Sequence, residues 1–123
     1  MTIHEAISRI DNEYENTYSP EQKKAYLSRL DWLIKNNIID KHQGGADVEF
    51  NGYDDNTPED TVLLVPEPFT DIYIFWLQAW IDYWNGDYDK YNNTISIYQS
   101  VYDSFRNDYN SKHMPLGTTL KVW

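Results

Sequence analysis

The chain has 123 residues, a formal net charge of −10 and no cysteine, together with eleven tyrosines and five tryptophans. This length fits one domain, and the lack of cysteine excludes disulfide bonds, thiolate metal sites and cysteine nucleophiles. The negative charge repels nucleic-acid phosphates and anionic membrane surfaces, so casual DNA binding is not expected. The first residues lack the basic region and apolar run of a secretory signal, which predicts a cytosolic product.

Two helices are predicted in the first third of the chain. Thr2 and Glu5 have the spacing of a capping box, and the apolar residues around them recur at helical intervals, which predicts helix one over about 2–15. Ser19 as N-cap and Pro20 at the first helical position repeat the start signal. The apolar stripe that follows predicts helix two over 20–41.

Residues 44–68 are rich in turn residues and acids, so helix is not expected there. Within them, Asn51-Gly52 stands between Val48-Glu49-Phe50 and Tyr53, which predicts a short β-hairpin, because a type I′ turn needs positive φ at both central positions. Two strands alone are marginal in water, so the hairpin must lie on the helices or pair with a neighbouring chain. The apolar run 61–65 is either a strand or an extended lead-in to the next helix, and we favour the extended form.

Residues 69–85 are predicted to form the central helix, with the sequence FTDIYIFWLQAWIDYW at positions 69–84. Asp71, Gln78 and Asp82 are spaced so that they share one narrow polar strip on a helix. The rest of the surface is apolar, which is typical of a helix buried in protein or lipid. Since the run falls short of the roughly 20 residues that cross a bilayer, we expect a core helix.

The last helix is predicted over 87–110, with Asp87 as its cap. Its large apolar residues recur at spacings of three and four from Tyr88 to Tyr109, which makes a heptad seam. This seam packs against the central helix in an antiparallel hairpin or against another subunit. Pro115 and Gly117 prevent further helix, so residues 111–123 are expected to form an extended, β-prone arm.

These elements predict a mainly α fold. We expect one four-helix bundle-like domain over residues 1–123, with a short β-hairpin between helices two and three and an extended C-terminal arm.

The chain offers little catalytic or metal-binding chemistry. Asp47, Glu49 and Asn51-Gly52 resemble the start of a calcium loop, but Pro58 stands where the bidentate acid belongs. The three histidines have no ligand spacing, and there is no phosphate loop or nucleophile elbow. We therefore expect no enzyme activity, no cofactor and no metal.

Several segments resemble one family. They are YSPEQK at 18–23 with Trp32, LVPEPFTDIY at 64–73, IDYWNGD at 81–87, KYNN at 90–93 and HMP at 113–115. These segments look like small proteins encoded by phages and prophages of Gram-positive bacteria, which are similar to head–tail connectors, also called adaptor or head-completion proteins. The resemblance covers nearly the whole chain.

The resemblance implies a structural virion protein at the head–tail interface, made in the host cytoplasm. It implies a ring, twelvefold in such proteins, that binds the portal protein and the next connector, stopper or tail protein. DNA would pass through the ring without specific binding, and no membrane is involved. From exposure we expect partner contacts at apolar residues of the hairpin and the arm, namely Val48, Phe50, Tyr53, Met114, Leu116, Leu120, Val122 and Trp123.

An alternative function follows from the charge. A small acidic phage protein can mimic DNA and so inhibit a host nuclease or another DNA-binding factor. Such mimicry needs carboxylates spaced like phosphates, whereas the acids of this chain concentrate in 54–60 and are otherwise scattered.

Overall fold

The computed structural model describes residues 1–117, and the fold is mainly α as expected. Four helices follow one another along the chain: α1 (Ile3–Glu13), α2 (Pro20–Asn37), α3 (Asp71–Trp84) and α4 (Tyr88–Lys112). Two short 3₁₀ turns, Ile39–Lys41 and Gly45–Asp47, begin the long connection between α2 and α3. None of the helices in residues 1–117 combines the length and the apolar character needed to cross a membrane.

The helix starts use the caps that the sequence predicts. In α1 the Thr2 hydroxyl accepts from the Glu5 N–H, and the Glu5 carboxylate accepts from the Thr2 N–H, which completes the capping box. Ser19 caps α2 ahead of Pro20, and Asp87 caps α4. These bonds satisfy amide groups that have no partner inside the helix.

The helix ends differ slightly from the prediction. The α-helical part of α2 stops at Asn37, and residues 39–41 form a separate 3₁₀ turn. In contrast, α4 continues to Lys112, so the first two residues of the predicted extended arm are helical. Pro115 then pairs with His42 in an isolated antiparallel bridge. The rest of the predicted arm, residues 118–123, lies outside the described residues.

The core is built around α3. Seven of its apolar residues are buried, and α4 packs along it as an antiparallel partner after the tight turn at Asn85-Gly86-Asp87. Gly86 takes a φ of 76°, which lets the chain leave α3 and enter α4 directly. Helices α1 and α2 cover the other sides of α3. The main buried side chains outside α3 are Ile3, Ile7, Ile10, Leu27, Leu30, Ile34, Ile38, Leu63, Val65, Tyr98 and Phe105.

The predicted hairpin is wrong. No strand forms between residues 48 and 53, although Gly52 does take the positive φ, 81°, that its turn signal implies. The reason is competition from α2: the Tyr53 N–H donates to the Ser28 hydroxyl at 2.9 Å, and the Tyr53 hydroxyl donates to Asp31. The polar groups of this segment therefore bind a helix and not an opposing strand.

A buried carboxylate on α2 fixes the connection to the helices. Asp31 is fully buried and accepts from the hydroxyls of Tyr53 at 2.5 Å and Tyr73 at 2.7 Å, and from the Leu64 N–H at 3.1 Å. The Tyr73 hydroxyl in turn accepts from the Val65 N–H at 2.8 Å. Burial raises the pKa of the Asp31 carboxyl, and the two tyrosine bonds act in the opposite direction.

Three lysines of α2 are also buried, and each holds a loop. Lys23 binds Asp11 at 2.5 Å and the Tyr18 carbonyl at 2.9 Å, which closes the α1–α2 turn. Lys24 donates to the Thr57 carbonyl at 2.5 Å. Lys35 pairs with Asp40 and donates to the Gly45 carbonyl. The ammonium groups thus bind backbone oxygens of the loops that α2 packs against.

The polar strip of α3 faces its helical neighbours. Asp71 binds Arg9 of α1 at 2.8 Å. Asp82 is buried and accepts from the hydroxyls of Tyr14, after α1, and Thr94 of α4. The strip predicted from spacing therefore connects three helices.

Removal of the Asp31 carboxylate tests its anchoring role. Asp31→Ala leaves one buried and two partly buried donors without their acceptor, so we expect the free energy of unfolding to fall by about 3–5 kcal/mol. Denaturant titration followed by circular dichroism measures this change. The exposed Asp55 lies in the same connection, and Asp55→Ala should change stability little. A loss below about 1 kcal/mol for Asp31→Ala would contradict the anchor.

Tyr14 gives a prediction for alkaline pH. Burial and the bond to Asp82 raise the pKa of Tyr14 to about 12, above its ordinary value of 10. The folded state therefore prefers the neutral phenol, and this contribution to stability is complete below pH 10 and is lost as the pH rises towards 12. We expect Tyr14→Phe to lower the free energy of unfolding at pH 8 and to show a weaker decline between pH 10 and 12 than the native chain. Equal slopes in denaturant titrations across this range would exclude the linkage.

Candidate interaction surfaces

An aromatic groove runs between α2 and α4, with α3 beneath it. Trp76 of α3 forms the floor, and its indole N–H donates to the Tyr26 carbonyl at 2.8 Å, which fixes the ring. Leu33 stands at the α2 side with 41% of its surface exposed. The recess has a volume of about 320 Å³, and its remaining lining residues are Asn37, Tyr98, Gln99 and Tyr102.

Trp80 extends this aromatic surface by one turn of α3. Its indole N–H is buried and has no hydrogen-bond partner among residues 1–117. The Arg29 guanidinium lies 4.8 Å from the centre of the Tyr26 ring and 5.8 Å from that of Trp80. A cation over aromatic faces is a feature found where proteins recognise other proteins. The aromatic rings of Tyr26, Trp76, Tyr83 and Tyr91 lie within 6 Å of Trp80, measured between ring centres.

The groove is lined by apolar and neutral polar side chains. Burial raises the pKa of Tyr98, and the Tyr102 pKa is also raised, mainly by burial, so neither phenol ionises near neutral pH. Asn37, Gln99 and the two hydroxyls provide neutral polar contacts around the apolar floor. Sequence reasoning missed this groove because it assigned Trp76, Trp80 and the tyrosine seam to mutual packing. The spacing of Arg29, Leu33 and Asn37 on one face of α2 is the signal that was available.

The predicted contact residues of the 44–68 segment are only partly available to a partner. Phe50 packs edge-on against Trp32 at 4.7 Å and Tyr53 at 5.1 Å, measured between ring centres. Tyr53 is half-buried and held by Asp31, so its role is structural. Val48 lines a separate recess of about 350 Å³ beside Phe105.

The predicted contact residues of the arm form a second patch. The Met114 carbonyl accepts from the Gln43 N–H at 2.8 Å, and the Leu116 N–H donates to the Lys41 carbonyl at 2.8 Å. The Leu116 side chain remains 59% exposed. Phe50 packs on Trp32 of α2, whereas Leu116 binds Lys41, which follows the C-terminal end of α2. The predicted contact residues of the 44–68 segment and those of the arm therefore lie on separate surfaces. Leu120, Val122 and Trp123 lie outside the described residues.

Histidines and acids do not assemble into a metal site in residues 1–117, where no group of three or more such side chains could hold an ion. His42 is buried, with its ring nitrogens 2.6 Å from the Ile38 carbonyl and 2.7 Å from Asn110 Oδ1. His113 stacks on Tyr109 with ring centres 3.7 Å apart. His4 lies 3.5 Å from Glu59 at the surface.

Comparison of the chain with protein-family models, with curated proteins and with solved structures gives no significant match.

The Gly52 backbone packs closely against Trp32, the α2 residue that Phe50 also contacts. An added Cβ would lie 3.0 Å from the Trp32 indole nitrogen and 3.3 Å from the Ser28 hydroxyl, in addition to the strain of a φ of 81°. We expect Gly52→Ala to lower the free energy of unfolding by about 2 kcal/mol. Gly86→Ala is the matched control, because Gly86 has a similar φ of 76° with open space around it. Denaturant titration should show the larger loss for Gly52→Ala, and equal losses would exclude the Trp32 contact.

Proposed function

We propose that this chain is a structural protein of the phage virion, a head–tail connector that sits between the portal and the tail. The resemblance of residues 18–23, 64–73, 81–87, 90–93 and 113–115 to such proteins supports this function. The observation that carries it further is the aromatic groove, which gives a small acidic helical domain a surface suited to another protein.

The chemistry of the groove suits a portal segment with an apolar anchor. Leu33 offers exposed apolar area at the edge of the recess, Trp76 forms its floor, and Asn37 and Gln99 supply neutral donors and acceptors for a bound backbone. Aromatic side chains bury much area and keep a polar edge, which is why they dominate interface energetics. Arg29, at the edge of this surface, would favour a carboxylate on the bound segment.

The negative charge is compatible with a position around a DNA channel. An acidic ring repels phosphate and lets DNA move without adhering to the wall. In this proposal the copies form a ring through unlike patches, as head-to-tail rings require. The virion would then be the place of function, and the host cytoplasm the place of synthesis.

The alternative, an acidic inhibitor that mimics DNA, has less support. Two of the acids, Asp31 and Asp82, are buried, and Asp11 and Asp40 bind lysines of α2. These carboxylates do not contribute to an outward row of free charges.

Portal binding tests the connector function. Leu33→Asp places a charge in the groove at an exposed position, so we expect the fold to persist and co-sedimentation with the cognate portal to fall at least tenfold. Val62→Asp is the control, because Val62 is 67% exposed and does not line the groove. Circular dichroism verifies the fold of both variants, and electron microscopy detects rings on the portal.

Two outcomes contradict different parts of the proposal. If the native chain neither co-sediments with the portal nor forms rings on it, the connector function is excluded. If Leu33→Asp binds the portal as strongly as the native chain, the groove is not the portal contact.

A further inference from the structure

One flank of α4, beside a recess next to α3, carries a stripe of residues that are exposed or half-exposed in the described structure. Lys90, Ile97, Val101 and Asp108 lie within about 40° of one another around the helix axis, at 3.6 residues per turn. Ile97 is 48% exposed, Lys90 is exposed, and Val101 and Asp108 are half-buried. An exposed apolar centre with a charge at each end is typical of a helix face that binds another helix.

The borders of this stripe suit close packing. Phe69 and Phe75 line a recess of about 310 Å³ next to Ile97 and Val101. The hydroxyls of Ser100 and Ser104 donate to the carbonyls four residues earlier, at 3.2 and 3.0 Å. Because these hydroxyl protons are already bonded, covering the serines leaves no donor unsatisfied.

The stripe is complementary to the same stripe of a second copy when the two α4 helices run antiparallel. Ile97 and Val101 are equally far from Gln99 along the helix, and so are Lys90 and Asp108. In an antiparallel pair of α4 helices centred at this height, Ile97 faces Val101 of the second copy, and Lys90 faces Asp108 of the second copy. Both contacts then occur twice, as a two-fold interface requires.

The charged groups on this face are compatible with that pairing. Within the chain, Lys90 lies 3.7 Å from Asp87, and Asp108 lies 3.1 Å from Lys112. Lys90 and Lys112 are exposed and Asp108 keeps 33% of its side-chain surface in solvent, so water screens both existing pairs and Lys90 and Asp108 can exchange partners. A parallel pair would instead place Lys90 beside Lys90 and Asp108 beside Asp108.

We propose that two copies of this chain associate through the α4 stripe, with their α4 helices antiparallel and centred near Gln99. One helix face with its flanking phenylalanines is smaller than a stable obligate interface. The dimer is therefore weak and depends on concentration. It is a property of the free protein, distinct from the head-to-tail contacts of a ring and from the groove on the other side of α4.

Sedimentation velocity over increasing concentration tests the dimer. We expect the native chain to dimerise at about 100 μM, as a small interface allows, and Ile97→Glu to raise the dissociation constant at least tenfold. Val62→Glu, at an exposed position far from α4 in sequence, should leave it unchanged. A native chain that stays monomeric at this concentration, or an Ile97→Glu variant that dimerises normally, would overturn the proposal.

Charge exchange tests the antiparallel arrangement. Lys90→Glu and Asp108→Lys each place like charges opposite one another and should weaken the dimer, whereas the double variant restores it. Glu near the start of α4 and Lys near its end both suit the helix dipole, so these variants should fold. If the double variant dimerises no better than either single variant, the assigned pairing is wrong.

Cross-linking fixes the register, since the native chain has no cysteine. Ile97→Cys with Val101→Cys places thiols opposite one another and should give a disulfide dimer on mild oxidation. Ile97→Cys alone is the control, because the two thiols are offset by four residues, about 6 Å along the axis, beyond disulfide geometry. Efficient dimerisation of the single variant would indicate a parallel pair and overturn the proposal. None of these results depends on portal binding, so this proposal and the connector function fail separately.

Discussion

The arrangement of this molecule depends on one buried carboxylate. Asp31 lies in the middle of α2 and binds Tyr53, Leu64 and Tyr73, which belong to the middle and the last part of an irregular connection and to α3. A connection of this length without strands leaves many backbone groups in need of partners. Asp31 and the buried lysines of α2 provide them, so α2 organises the polar interior while α3 organises the apolar one.

Local signals predicted most of the fold. Four helices were predicted with ends correct within a few residues, from the caps at Thr2, Ser19 and Asp87 and from the apolar run of α3. The packing of the tyrosine seam of α4 against α3 was one of the two arrangements predicted. The hairpin failed because its evidence was local too. Asn51-Gly52 specifies a backbone turn, but Asp31 and Ser28, more than twenty residues earlier, decide where Tyr53 binds. No short-range pattern contains that pairing.

Long-range packing also decides which surface residues are available to a partner. Tyr53 was predicted to contact a partner because tyrosine in a loop is commonly exposed, yet its hydroxyl satisfies a buried charge. Leu33 belongs to the apolar stripe that predicted helix two, yet 41% of its surface is exposed at the edge of the groove above Trp76. The angle between two helices decides whether aromatic residues form a core or a surface, and single-sequence spacing does not report that angle.

Because hydroxyl groups hold the buried carboxylates, the stability of the fold should depend little on salt concentration. Asp31 and Asp82 accept from the hydroxyls of tyrosine and threonine, and within residues 1–117 neither forms an ion pair with a lysine or arginine. Hydrogen bonds from neutral groups in the interior are barely screened by dissolved salt, whereas repulsion between surface charges is. Added salt should thus leave the monomer intact while it weakens the mutual repulsion of these acidic chains. Salt concentration should therefore change how readily two copies approach one another without changing the stability of each copy.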